Sequence, residues 1–198
     1  MVWRVLALTG VIVCLMAGAC GAQGEEAHVA AVKKYITSQI LPWLGDAVVL
    51  DTVHARNLEN SMLTDVDIER LDQEWKHQLT APKKPLIDGL LNNELSAFLR
   101  KKIADAQGFI YQIIIMDAKG MNVGQGLITE DYWQGDEEKW QKGFKAPPGS
   151  MFIDEVLKYR SVAGGLTMQV SLPVTDPETG VAIGAITVFI DVDHLPAS

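Results

Sequence analysis

The ten residues from Asp131 to Trp140, DYWQGDEEKW, hold the densest chemistry in the chain: three aromatic rings and four carboxylates around Gly135. Rigid rings beside charges, on a loop next to a strand, suit the wall of a small-molecule pocket. In that reading Tyr132, Trp133 and Trp140 supply apolar surface, and Asp136 accepts a hydrogen bond from an amine or hydroxyl of the ligand. The alternative is a mini-core, in which the loop folds onto a sheet and Trp140 is only its anchor. A second group stands at Lys158, Tyr159 and Arg160. Strand parity puts Tyr159 on one face and its two basic neighbours on the other. An inward Arg160 favours a carboxylate ligand through a bidentate pair, and an inward Tyr159 favours a neutral or amine ligand. An exposed strand edge with solvated charges favours neither.

The remaining candidates are weaker. Glu130-Asp131, Asp136-Glu137-Glu138 and Asp191-Val192-Asp193 invite a metal. Calcium, however, needs six to eight oxygens in a defined loop, and no EF-hand spacing is present, so these acids read as solvated. His28, His54, His77 and His194 are scattered, without a two-ligand spacing. No metal site is expected. There is no nucleophile elbow, phosphate loop or dinucleotide fingerprint, and the reading is of a non-enzyme without cofactor.

The elements that must position these groups follow from periodicity. Tyr111 to Met116 is an apolar run of strand length, Asp117-Ala118-Lys119-Gly120 is a turn, and Asn122 to Ile128 alternates; together they read as a β-hairpin. Met151 to Arg160 reads as a third strand and Leu166 to Leu172 alternates as a fourth. Val181 to Val192 is almost wholly apolar, as a central strand buried on both faces would be. Ile186 and Phe189 fall on its opposite faces, and both are expected to be buried. Before the sheet, Val29, Val32, Ile36, Ile40 and Leu44 make the stripe of an amphipathic helix, with Pro42 able to kink it. Val48, Val49, Val53 and Leu58 continue helically. Thr64 caps a further helix with Asp65 and Asp67 in its first turn, and Ile68, Leu71, Trp75 and Leu79 form its buried stripe. Leu86 to Ala106 is helical in two pieces around Asn92-Asn93. Helices first, then about five antiparallel strands, make an α+β domain in one piece.

A strand ending in MDAKG, a second strand, and then T-x-D-Y-x-Q-G-D-E-x-x-W resemble the extracytoplasmic sensor modules called Cache or PDC domains. QVSLPVTDPETGVAIGAITVFIDVDHL is similar to the last two strands of that family, and the resemblance covers roughly residues 48–195. It implies a PAS-like antiparallel sheet with a long N-terminal helix packed along it, and a ligand held between the sheet and the aromatic segment.

Met1 to Ala19 reads as a signal peptide: Arg4, an apolar run from Val5 to Met16, then Ala17-Gly18-Ala19. The run is shorter than the roughly 20 residues a membrane span needs. Ala19-Cys20 resembles a lipobox, with Ala17 where leucine is usual, and that reading puts a lipid on Cys20; ordinary signal peptidase cleavage is the alternative. Residues 20–198 then form a single Cache-like domain of 179 residues, long enough to bury roughly 70% of its unfolded surface. Cys14 and Cys20 both lie at or inside the signal, so no disulfide framework is expected. The chain carries a formal charge of −8, and losing Arg4 makes it about −9. Acidic balance argues against nucleic acid as a partner. The sequence therefore points to an exported, periplasmic, membrane-anchored sensor domain for a small organic ligand, either a carboxylate or an amine. With no output module in view, it would report or deliver to a membrane-bound signalling or transport partner. A non-liganded envelope interaction module of the same fold is the alternative.

Overall fold

The structure, a computed structural model, describes residues 28–157 and 167–194. The expectations for the signal segment, Cys20, Tyr159 and Arg160 fall outside those residues. The first helix, α1, covers residues 28–44: α-helical over 28–35, π-helical at Ile36–Ile40 and α-helical again at Leu41–Leu44. Pro42 explains the change of pitch. Its ring cannot supply an N–H and crowds the carbonyl four residues back, and the wider turn just before it, closed by the Leu41 N–H donating to the Ile36 carbonyl, makes room.

Three more helical stretches precede the sheet. Helix α2 spans Ala47–Asn60 and α3 spans Asp65–Thr80, while α4 (Pro85–Leu91) and α5 (Glu94–Asp105) form the two-piece segment. Thr64 and Asp67 make a full capping box at the start of α3, each side chain satisfying a backbone N–H of the other. Asn93 caps α5 through the Ser96 N–H. Leu58 lies in α2 as expected but is 77% exposed: nine residues after Val49, it stands on the opposite side of the helix from the buried Val49 and Val53.

The sheet holds β1 (Ile110–Asp117), β2 (Asn122–Gln125), β3 (Phe152–Leu157), β4 (Thr167–Thr175) and β5 (Ala182–Asp191). Their order is β2-β1-β5-β4-β3, and every neighbouring pair is antiparallel. The almost wholly apolar strand is thus the central one, as its composition requires. One face packs Ile113, Ile115, Val170, Leu172, Ile186 and Val188 against α1, α2 and α5, and this is the main core. A short helix, α6 (Glu138–Lys145), covers part of the opposite face, where Trp140 and Phe144 pack over Ile114, Met116 and Ala185. A third cluster, remote from the sheet's centre, joins Ile68 and Trp75 of α3 to Ile87, Leu90, Met121 and Tyr132.

Candidate functional site

The site is built where β2 leaves the sheet. The alternation suggests a strand to Ile128, but pairing stops at Gln125, with one last backbone bond from the Gly126 N–H to the Ile113 carbonyl at 3.0 Å. Beyond that, the Gln112 side chain takes over from the strand's backbone. Its Oε1 accepts from the Leu127 N–H at 2.9 Å and its Nε2 donates to the Leu127 carbonyl at 2.8 Å. Residues 127–137 are therefore held a side chain's length away from β1, and they run as a strap over the sheet face that α6 leaves uncovered.

The strap is fixed at its far end by α3. Asp72, buried, accepts the backbone N–H groups of Tyr132 at 2.8 Å and Trp133 at 3.1 Å. Lys76 bridges Asp72 and Asp131 at 2.7 Å each, and these two bonds hold its ammonium above the usual lysine range. The Trp75 indole donates to the Thr129 carbonyl at 2.9 Å. Two glycines let the strap cross the β1–β2 turn. Gly120 has φ +83°, and a Cβ there would lie 2.6 Å from the Gly135 Cα; a Cβ on Gly135 would lie 2.4 Å from the Trp133 indole nitrogen.

Between strap and sheet lies an open pocket of about 640 Å³. Its floor is a row of four side chains in register across four strands: Asp154 opposite Gln169, Gln169 opposite Phe189, and Phe189 opposite Gln112. Cross-strand partners share a face, so the row presents a carboxyl, an amide, a ring and a second amide side by side. Tyr111 meets Phe189 edge to face at 5.8 Å. Leu127 and Ile128, about half exposed, line the mouth. Glu130, Asp131, Gln134, Glu137, Glu138 and Lys139 complete the wall, and Lys139 is ion-paired to Glu137. On the same face, Asn122 and Gln125 are wholly buried around Thr129, which also lines the pocket. Among the described residues, the Asn122 Oδ1 and Gln125 Nε2 atoms have no hydrogen-bond partner.

The aromatic residues singled out in the sequence are placed differently. Tyr132 belongs to the mini-core: it is 6% exposed, stacks on Trp75 at 5.2 Å, and burial pushes its phenol above the ordinary tyrosine range. Trp133 and Asp136 face the other side of the strap, where they share a separate cavity with α3. Trp140 lies in α6, stacked on Phe144 at 5.1 Å, with its indole donating to the Asp117 carbonyl at 3.1 Å. It anchors the helix beside the pocket. The strap thus lies over the sheet with Tyr132 in the mini-core and Trp133 turned toward α3, while Trp140 stands in the helix that follows. Gln112, Asp154 and Gln169 were not singled out, and Phe189 was expected only as a buried residue of the central strand. The signal available was parity: Gln112 interrupts an apolar run, and Gln169 stands on the polar side of an alternating strand that reads as solvent-facing.

The acid runs also separate. Asp191 is not solvated: it is 3% exposed, accepts the Asp193 N–H at 3.0 Å and lies 3.3 Å from His194. Among the described residues, no group of three or more acids, histidines or cysteines is disposed to hold a metal.

The five-stranded order with helices ahead of the sheet is the architecture the resemblance implied. The chain has an α+β fold, a five-stranded antiparallel sheet preceded by helices. No family model matches this chain, and no curated protein matches it. Among solved structures, it is similar to the sensor domain of the Vibrio cholerae histidine kinase DctB, at 12% identity and a TM-score of 0.49, over 89% of this chain and 57% of that one. The ligand-binding domain of the Campylobacter jejuni chemoreceptor Tlp3, in complex with 4-methylisoleucine, matches at 10% identity and a TM-score of 0.43, over 94% of this chain and 65% of that one. That of the Pseudomonas aeruginosa amino-acid chemoreceptor PctC, in complex with GABA, matches at 17% and 0.38, over 78% and 62%. The chain therefore spans about three fifths of the length of these structures.

Proposed function

We propose that the chain is a small-molecule sensor domain that binds an organic ligand on the uncovered face of its sheet, beneath the strap. The observation that carries this reading is the row Asp154, Gln169, Phe189 and Gln112 facing a pocket of about 640 Å³. Five carboxylates line it among the described residues: Asp131, Glu137 and Glu138 are ion-paired to Lys76, Lys139 and Lys142, and Glu130 and Asp154 take part in no ion pair there. Such a wall attracts an ammonium group: one carboxylate at about 4 Å, at an effective dielectric near 20, offers on the order of 4 kcal/mol before desolvation. Phe189, Leu127 and Ile128 supply apolar surface for the rest of an amphipathic amine. If Arg160 faces inward, it adds a place for a carboxylate on the same ligand. In the cell, the domain works outside the cytoplasm, tethered through a lipid on Cys20, and reports occupancy to a membrane-bound signalling or transport partner. Among the described residues, no helix is long and apolar enough to cross a membrane.

A thermal-shift screen of the purified protein against small amines and small carboxylates tests the ligand class. Amines should raise the melting temperature, and Asp154→Asn should weaken their binding at least tenfold, about 1.4 kcal/mol, with the fold intact. Stabilisation by carboxylates alone, lost in Arg160→Ala, would move the reading to an anion. A ligand indifferent to Asp154→Asn and Gln169→Ala binds elsewhere. For the tether, mass spectrometry should find a lipid on Cys20; a soluble product beginning near Gln23, with no membrane-bound pool, would overturn it.

A further inference from the structure

The strap has a second side. There, between α3 and the strap, lies a cavity of about 480 Å³ lined by Asp65, Ile68, Glu69, Asp72, Trp133 and Asp136. It shares no lining residue with the sheet-face pocket. We infer that this cavity is a second binding site, selective for an organic cation such as an alkylammonium or an alkylguanidinium.

The wall is built before any ligand arrives. The Trp133 indole nitrogen donates to the Lys119 carbonyl at 2.8 Å, and Gly135 leaves the room that the ring occupies, so the indole's position is set by the protein alone. Ile68, buried, provides an apolar floor. The charges are one-sided: four carboxylates line the cavity and no lysine, arginine or histidine does among the described residues. Two of the acids have local explanations. Asp72 is matched by Lys76 and two strap N–H groups, and Asp65 sits in the first turn of α3, where the helix dipole favours an acid. Glu69 and Asp136 have neither. Both are exposed, and among the described residues neither takes part in an ion pair. Asp65 and Glu69 stand four apart on one helix face, where like charges repel.

The shape decides between kinds of cation. The carboxylates are not grouped to hold a metal, whereas a cavity of this volume with an indole wall accommodates a larger organic ion. A positive charge over a tryptophan face gains from the ring's quadrupole, the more so when partly desolvated. Acids around the rim then compensate the charge without needing to touch one another. The site's chemistry is thus aromatic contact plus distributed negative charge, and it requires nothing of the sheet-face pocket.

Tetramethylammonium and ethylguanidinium are suitable probes, with sodium chloride at matched ionic strength as the control and tryptophan fluorescence as the readout. The wild-type protein should show a saturable change that is absent in Trp133→Phe. Glu69→Gln combined with Asp136→Asn alters only exposed side chains and leaves the fold intact; it should raise the dissociation constant at least tenfold. Asp154→Asn, on the sheet face, should leave it unchanged. The inference is overturned by the absence of a saturable change, by one that sodium chloride reproduces, or by one that survives the double variant. A response lost in Asp154→Asn but kept in the double variant would put the probe in the sheet-face pocket, overturning this site and supporting the other.

Discussion

At the residue scale, the strongest constraints are buried polar groups whose partners come from distant parts of the chain. Asp117 is the clearest case. Its carboxylate is wholly buried and accepts from Asn60 at 2.7 Å, the Lys119 N–H at 2.8 Å and the Met121 N–H at 2.9 Å, so one side chain ties α2 to the β1–β2 turn. Burial nevertheless outweighs these bonds and raises its pKa above the ordinary carboxylate value. The sign follows from linkage. Between the ordinary and the raised value, the folded state binds more protons than the unfolded one, so stability falls as pH rises through that window. Urea unfolding across mildly acid pH should show the stability of the wild type, relative to Asp117→Asn, declining with rising pH and then levelling. A difference that grows instead would mean the hydrogen bonds dominate. The Gln112 clamp follows similar logic. Gln112→Leu removes both bonds to Leu127 and leaves that backbone amide and carbonyl unpaired, which costs about 1–3 kcal/mol where they stay buried. Ligand binding should weaken more than stability does, because Gln112 also lies in the pocket floor.

At the element scale, the same few residues decide where segments start, stop and turn. The capping box at Thr64 holds the end of α3 that faces the second cavity. Thr64→Ala should cost about 1 kcal/mol, within a usual range of about 0.5–2, measurable by chemical denaturation; no loss would mean the helix start is held by the strap alone. Gly135→Ala tests the crossing. Its Cβ would overlap the Trp133 ring, so stability should fall by about 1–3 kcal/mol and the Trp133 emission should shift. Much at this scale was legible in the sequence, because it depends on local chemistry. Thr64 with Asp67, Asn93 ahead of Glu94 and the Asp117-to-Gly120 turn act on their own neighbours. What could not be read was the destination of side chains that act at a distance. Tyr132 looks like a ligand wall until Trp75, 57 positions earlier, is seen stacked on it. The early end of β2 depends on Gln112, which precedes Leu127 by 15 positions. Leu58 is helical but out of phase with the buried Val49 and Val53, and it is exposed.

For the whole molecule, the sheet is a partition with different tasks on its two faces. Apolar periodicity in β5 reads correctly as burial on both sides, yet it cannot distinguish a face sealed by helices from one that is only partly roofed. Ile186 and Phe189 make the distinction testable. Ile186 is completely buried in the main core, whereas Phe189 is partly buried against Ile114, Met116 and Ala185 and lines the pocket opposite Gln112 and Gln169. The expectation that both are core residues therefore holds for Ile186 alone. Truncating Ile186 to alanine leaves a cavity in close-packed surroundings and should cost about 2–5 kcal/mol. Phe189→Ala removes a larger side chain, but one side of its ring meets the open pocket and leaves no closed cavity when removed, so the loss should be smaller, about 1–2 kcal/mol. Binding should reverse the order. Protein carrying Ile186→Ala that remains folded should keep its affinity, since the ligand never meets that face, while Phe189→Ala should lose at least tenfold. Stability by urea titration and affinity by calorimetry on the same two variants give the four values needed. If Phe189→Ala destabilises as much as Ile186→Ala and leaves affinity intact, the uncovered face is a second core and the ligand must be sought elsewhere in the molecule.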